Sequence, residues 1–294
     1  MKRLLVIVNP ISGQSSKKAV VGAMVSHLDM NKYDVTFRFT SHPGHATKLA
    51  AEAVVDGVDI VVAVGGDGTV NEVARALVGT DTALGIIPCG SGNGLARHMH
   101  IPMNVRKAVE ILNEGHMTLI DSMTVNGIPC FCTAGVGYDA YVSEKYAKEP
   151  TRGLSTYVRK AVEGWFTYQP QQYIIETDNG TIHRTALAIT CANANQWGND
   201  FHVAPKASLT DGLIDVTIIH PIRLVNALKM PAQIFGYSFD KNPDVETFKT
   251  SGLTIRRAIV APLHIDGESQ RGTKDITIAL RPASLGVLCG DGEV

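Results

Sequence analysis

The residues of this chain whose types and spacing could do chemistry begin with Gly65-Gly66-Asp67-Gly68-Thr69. Its three glycines remove the side chains that would hold a polyphosphate away from the backbone. Ile60 to Val64 ahead of the loop is an apolar run, and Val70, Val73, Ala74 and Leu77 behind it share one helical face. Strand, glycine turn and helix start aim free N–H groups and a helix dipole at one spot, which favours an anion. A carboxylate inside an anion site is costly unless a cation or a proton transfer uses it, so Asp67 is the loop's most informative residue. Thr69 and Glu72 stand at capping-box spacing, which predicts that Thr69 caps the helix. A tight turn with a solvated Asp would read the same way from the loop alone. No Gly-Lys-Ser/Thr follows, so this is not a Walker A loop, and the spacing is not the dinucleotide G-x-G-x-x-G.

A second loop, Pro88-Cys89-Gly90-Ser91-Gly92-Asn93-Gly94, follows the next apolar run and again offers glycines, a hydroxyl and an amide. Asn9-Pro10-Ile11-Ser12-Gly13 ends the first strand, and Thr40 ends the second. In open α/β sheets ligands gather at the carboxyl ends of parallel strands. Four consecutive strand ends with small polar or glycine residues point to one nucleotide site.

The elements that must position these loops are legible. Strands are predicted at Leu4 to Val8, Tyr33 to Thr40, Asp59 to Val64 and Ala83 to Ile87. Helices are predicted at Ser15 to Leu28, His45 to Val55, Thr69 to Val78 and Val105 to Asn113. Short apolar strands alternating with helices imply a parallel sheet covered on both faces. After about residue 117 the pattern changes. Met117 to Val125, Ile128 to Ala134, Gln172 to Thr177, Ile182 to Ala192, Leu213 to His220, Leu253 to Ala261, His264 to Ile265 and Asp275 to Leu280 favour strand, with one helical interruption from Leu154 to Trp165. The expectation is an N-terminal Rossmann-like parallel-sheet α/β domain (1–120, with 285–294 an optional return to it) and a C-terminal antiparallel β-sandwich domain (121–284).

The chain has 294 residues, 45% hydrophobic and 19% charged, enough to bury sizeable cores. A net charge of -1 supplies no global basic field for nucleic acid. Five cysteines without a C-x-x-C pair read as reduced thiols of a cytoplasmic protein. No run approaches a membrane span of about 18 residues, so any lipid would be met peripherally, at the membrane surface.

Taken in order, these motifs resemble the diacylglycerol kinase catalytic-domain family, which includes bacterial lipid kinases and sphingosine kinases. The resemblance runs through Asn9-Pro10, Thr40 to Ala46, Gly65 to Asn71, Pro88 to Arg97, Gly135-Val136-Gly137-Tyr138-Asp139, Asp211-Gly212-Leu213 and Asp266-Gly267-Glu268. It implies an ATP-dependent lipid kinase, with ATP contacted by Asn9, Thr40, the loop Gly65, Gly66, Asp67, Gly68, Thr69 and Asn71, and by Ser91 where many relatives carry Thr. It implies nucleotide in the cleft between two domains. It also implies Mg²⁺ held by Asp211 and by the main-chain carbonyls of Ser208 and Leu213, although spacing alone fits an ordinary Asp-Gly turn equally well.

Asp266-Gly267-Glu268 resembles the family's catalytic acidic motif. Phosphoryl transfer needs a group to accept the hydroxyl proton and Mg²⁺ to spread the phosphate charge. Glu268 is favoured as the base, Asp266 stands second, and Asp67 is assigned to positioning Mg²⁺. A Ser143-Glu144-Lys145-Tyr146 stretch similar to sphingosine kinases leads to Arg152 as the phosphate-binding arginine, with Lys148 as an alternative. Asp139 is assigned to the polar head of the acceptor. Trp165, Phe166 and Tyr168 read as core more than as membrane interface, and Leu224 to Tyr237 is a candidate lining for an acyl groove.

Two further readings stay open. NAD kinases share the Gly-Gly-Asp-Gly-Thr loop and two-domain architecture, but Asn9-Pro10 and the Pro88 to Asn93 loop resemble the lipid branch, and no Asn-Asp or Asn-Glu pair stands in the place expected after the loop, Asn71-Glu72 lying within its helix. A non-catalytic nucleotide-binding regulator is the other, and the retained acidic residues speak against it. The acceptor lipid, diacylglycerol-like or sphingoid, and the oligomeric state, a homodimer included, are left open.

Overall fold

The computed structural model describes residues 1–13, 16–149, 154–165, 167–223, 226 and 229–290. The described chain divides into two compact units, Met1–Ser122 with Pro282–Val294 and Met123–Arg281.

The first unit carries β1 (Lys2–Val8), β2 (Tyr33–Phe39), β3 (Ile60–Gly65) and β4 (Ala83–Pro88), with α1 (Lys17–His27), α2 (His45–Val55), α3 (Asp67–Leu77), α4 (Gly94–His98) and α5 (Val105–Glu114). The strands pair in parallel in the order β2-β1-β3-β4. Val287, late in the chain, pairs in parallel with Leu84 on the far side of β4. Val61, Val62 and Val64 of β3 are fully buried, as expected of a strand covered on both faces. Each buried valine contributes about 1.5–3 kcal/mol. Because the strands are parallel, their carboxyl ends fall on one edge. Thr40 N–H donates to Val8 O at 2.9 Å, Asn9 N–H to Val64 O at 3.1 Å, and Cys89 N–H to Gly65 O at 2.7 Å, so neighbouring strand ends are bonded in turn.

The second unit is built on antiparallel pairs. Its elements are β5 (His116–Val125, entering from the first unit), β6 (Ile128–Cys130), β7 (Thr133–Gly137), α6 (Tyr138–Ala147), α7 (Leu154–Trp165), β8 (Gln171–Thr177), β9 (Gly180–Ala186), β10 (Ala188–Ala192), β11 (Ile214–Ile219), α8 (Met230–Phe235), β12 (Val245–Thr250), β13 (Gly252–Ile265) and β14 (Glu268–Cys289, leaving for the first unit). The main path is β12-β11-β10-β7-β13-β14, with β8 on β13 and β9 on β8. Met123, Val136, Tyr173, Ile189, Val216, Ile255 and Ile276 belong to one continuous core.

Several elements depart from the sequence expectation for visible reasons. The predicted strand Ile128 to Ala134 is two, because the N–H groups of residues 131 to 133 bond a side chain instead of a strand. Ile182 to Ala192 breaks at Leu187, whose N–H donates to Ile219 O and whose carbonyl accepts from Tyr138 N–H. The two pieces predicted at Leu253 to Ala261 and His264 to Ile265 are one strand, with register shifts between Arg256 and Leu263. There the buried Arg257 guanidinium bonds the carbonyls of Ala261, Pro262 and Thr273. Burial pulls its pKa down. Helices α4, α6 and α8 and strand β12 are additional to those predicted.

Candidate functional site

In the first unit two glycine loops meet backbone to backbone. A Cβ on Gly66 would lie 3.1 Å from Gly90 Cα, and one on Gly90 would lie 2.6 Å from Gly66 Cα. Only glycines allow this approach. A Cβ on Gly65 would overlap Thr69, and one on Gly13, at φ +66°, would overlap the Cys89 carbonyl. The loops after β1, β3 and β4 are therefore packed as one surface.

Side chains clasp them. The Asp67 carboxylate accepts from Asn93 N–H at 2.8 Å and from Gly94 N–H at 2.6 Å. Asn93, itself at φ +53°, closes its own loop by accepting from Gly90 N–H and donating to Gly90 O. Asn9 Nδ2 donates to Thr69 Oγ1 at 3.0 Å, and Asn9 Oδ1 accepts from Ile11 N–H at 3.1 Å. Ser91 is exposed at the tip of the second loop, Thr40 and Gly68 are half-buried, and Asn71 is buried in α3.

The predicted capping box is not formed. Helix α3 begins at Asp67 with Gly66 as its cap, so Thr69 lies within its first turn. Glu72 instead accepts from Gly44 N–H at 2.8 Å and Ala46 N–H at 3.1 Å, at the start of α2. A neighbouring helix thus uses the carboxylate that spacing assigned to α3, and Glu72 fixes the segment after Thr40.

Sequence reasoning missed Lys17. It is 9% exposed, and among the described residues no oxygen accepts from its buried Nζ. It lies beside Cys89 of the second loop, where burial pushes the thiol up and the ammonium pulls it back. The pair Lys17-Lys18 reads as solvated in sequence, and nothing local marks which lysine turns inward.

In the second unit Asp266 and Gly267, at φ +48° and +79°, form the two-residue turn between β13 and β14, with Ile265 opposite Glu268. The turn separates the two acids. The Asp266 carboxylate accepts from Phe131 N–H at 3.0 Å, Cys132 N–H at 2.8 Å, Thr133 N–H at 3.2 Å and the Cys130 thiol at 3.2 Å. Burial first, and then that carboxylate, push the Cys130 thiol well above its usual range. Glu268 is exposed.

Asp139, near the start of α6, is 5% exposed. Its carboxylate accepts from Thr190 Oγ1 at 3.0 Å and lies 3.1 Å from His264 Nε2. Any Cβ on Gly135 would overlap this group. Arg152 and Phe166 lie outside the described residues, as does part of Leu224 to Tyr237. Lys148 pairs with Glu144 at 3.0 Å, while Arg159 and Lys160 both reach Glu149 at 2.8 Å. Trp165 and Tyr168 pack edge-on against Tyr138, beside a core containing Phe239 and Ile219.

The implied metal position is next to β11. Asp211 Oδ1 accepts from Leu213 N–H at 3.0 Å, and Oδ2 accepts from Lys249 Nζ at 2.6 Å. Ser208 Oγ accepts from Thr210 N–H at 3.3 Å. Among the described residues no three His, Cys, Asp or Glu side chains gather as a metal-binding group. With an ammonium already on the Asp211 carboxylate, this donor set does not fit a resident divalent cation.

A model of the diacylglycerol kinase catalytic domain matches residues 3–125. One of the YegS C-terminal NAD kinase beta sandwich-like domain matches residues 132–289. An uncharacterized protein of Synechocystis sp. (strain ATCC 27184 / PCC 6803 / Kazusa) is 30% identical over 299 residues, covering 96% of this chain and 69% of that protein. A diacylglycerol kinase of Bacillus subtilis (strain 168) is 28% identical over 276 residues, covering 91% of this chain and 90% of that one. The crystal structure of a diacylglycerol kinase from Bacillus anthracis str. Sterne shares the fold, with a TM-score of 0.77 at 20% identity, over 100% of this chain and 98% of that one. The chain belongs to the family that joins these two domains. It is a kinase, a phosphotransferase with an alcohol group as acceptor.

Proposed function

We propose that this chain transfers the γ-phosphate of ATP, supplied as its magnesium complex, to a hydroxyl of a diacylglycerol-like or sphingoid lipid. The observation that carries the reading is the approach of Gly66 to Gly90, which keeps side chains out of the space between those two glycines and brings the start of α3 against the second glycine loop. Backbone N–H groups and the α3 dipole suit a polyphosphate there. Asn9, Thr40 and Ser91 border the same sheet edge, and Lys17 supplies a buried positive charge to it.

Glu268 is the base in this reading. It takes the proton of the lipid hydroxyl as that oxygen attacks the γ-phosphorus and ADP leaves. Asp266 already accepts four donors, which supports assigning it to hold the β6–β7 turn. Asp67, with two backbone N–H groups on its carboxylate, orders the loops. Asp139 is satisfied by Thr190 and His264, which favours a role in anchoring α6.

The acceptor is met peripherally, from the cytoplasmic side of a membrane surface. Among the described residues no helix is long and apolar enough to cross a membrane. Phe235, Tyr237, Ile259 and Val260 of the second unit are more than half exposed and suit contact with lipid. The test is incubation with γ-labelled Mg-ATP and mixed micelles of single lipids. Label is expected in a glycerolipid or sphingoid product. Label entering NAD and no lipid would establish the NAD kinase reading instead.

A further inference from the structure

We infer that Lys249 stands in this chain where the fold family's β domain would hold a divalent cation, so that the turn before β11 is closed by an internal ammonium.

The geometry is specific. Lys249 Nζ donates to Asp211 Oδ2 at 2.6 Å and to the Lys206 carbonyl at 3.2 Å. It also lies 3.1 Å from Asp215 Oδ2 as an ion pair. Two carboxylates and a main-chain carbonyl are the oxygen donors a hard cation takes. Lys249 is delivered to them by the sheet. It lies directly opposite Asp215 in the antiparallel register of β11 and β12. Facing side chains of such a pair have close Cβ atoms, so the ammonium needs little ordering to reach the carboxylates.

An edge-strand lysine ordinarily keeps its head in water and blocks further pairing. Strand β12 ends the main sheet path, but the Lys249 ammonium is held on carboxylates, its side chain 35% exposed and that of Asp215 12% exposed. A dication bound to the same Asp211 oxygen would lie within a few ångströms of a fixed positive charge. The two cannot share the site, and the tethered lysine has the advantage of being present at every metal concentration.

The test uses the full chain without nucleotide. Thermal unfolding is followed in EDTA, in Mg²⁺ and in Ca²⁺, and the metal content of the purified protein is measured by mass spectrometry. The wild type is expected to hold no stoichiometric metal and to shift its Tm by less than about 1 °C between conditions. K249M removes the ammonium from Asp211 Oδ2, Asp215 and the Lys206 carbonyl, so its Tm is expected to climb with divalent-ion concentration. K249R, which keeps the charge, is expected to stay insensitive. About one bound metal per wild-type chain, or a saturable rise in wild-type Tm that D211N removes, would overturn the inference. So would a folded K249M that ignores both ions. If K249M does not fold, the metal content and Tm of the wild type decide. None of these readouts involves phosphoryl transfer, so they stand apart from the kinase reading.

Discussion

Asp67 Oδ2 accepts the backbone N–H of Asn93 at 2.8 Å, so the carboxylate of the first glycine loop is the clasp of the second. Its other oxygen takes Gly94 N–H at 2.6 Å. An acid in a glycine loop at a helix start looks like an idle charge until these two donors are counted. Asp67→Asn replaces one acceptor by a donor facing an N–H group. The expected result is a KM for ATP raised by about tenfold or more, since one charge-assisted bond contributes about 1.5–3 kcal/mol. The fold should survive. Steady-state kinetics with a parallel melting curve check it, and an unchanged KM would remove the clasp from nucleotide binding.

Asp266 and Glu268 are two residues apart and carry opposite expectations. Asp266→Asn disturbs the bonds to Phe131, Cys132 and Thr133. An unsatisfied buried donor costs about 1–3 kcal/mol, so chemical denaturation should show a loss of at least that order. Glu268→Gln removes only the proton acceptor. It should leave stability alone and lower kcat by about 10²–10⁴ with KM little changed. If Glu268→Gln turns over normally and Asp266→Asn is dead but stable, the two roles are reversed.

The parallel sheet and its loops were legible because buried strands, glycine turns and helix faces are local patterns. Gly65 to Asn71 and Pro88 to Asn93 announce the turns at the strand ends. Partners in space were not legible. Glu72 matched a capping box yet caps α2, since spacing cannot say which helix start a carboxylate reaches. The break between β6 and β7 depends on Asp266, over 130 residues away. Lys17 and Lys249 look like solvated lysines in sequence, and only the tertiary structure buries the first and sets the second on Asp211 and Asp215. Helix α6 was missed because its surroundings are buried on more than one side, with Asp139, Ala140, Val142 and Ser143 all inaccessible, so no single apolar stripe appears.

Lys17 gives a prediction in which stability and function separate. A buried ammonium from which no oxygen of the described residues accepts is a cost in the free protein. Lys17→Met keeps the apolar stem and removes the charge. Its Tm is expected to equal or exceed that of the wild type, while KM for ATP rises. Wild-type KM together with a lower Tm would make Lys17 a packing residue.

His202 sets an expected pH dependence in the second unit. It is 1% exposed, its Nδ1 has no partner among the described residues, and its ring stacks on Tyr237 with centroids 3.6 Å apart. Burial lowers its pKa below the ordinary value of 6.5, with the nearby Asp200 opposing. The sign follows from proton counting. Between the folded and unfolded pKa values the unfolded chain binds more protons, so acid favours unfolding. The stabilising contribution of neutral His202 is present above about pH 6.5 and is lost as pH falls through the folded-state value. Urea unfolding at about pH 7.5 and about pH 5.5 should show the wild type losing more stability than His202→Gln, which cannot titrate. Equal losses in the two proteins would mean that His202 takes up its proton without opposing the fold, and that the acid sensitivity of this unit arises elsewhere.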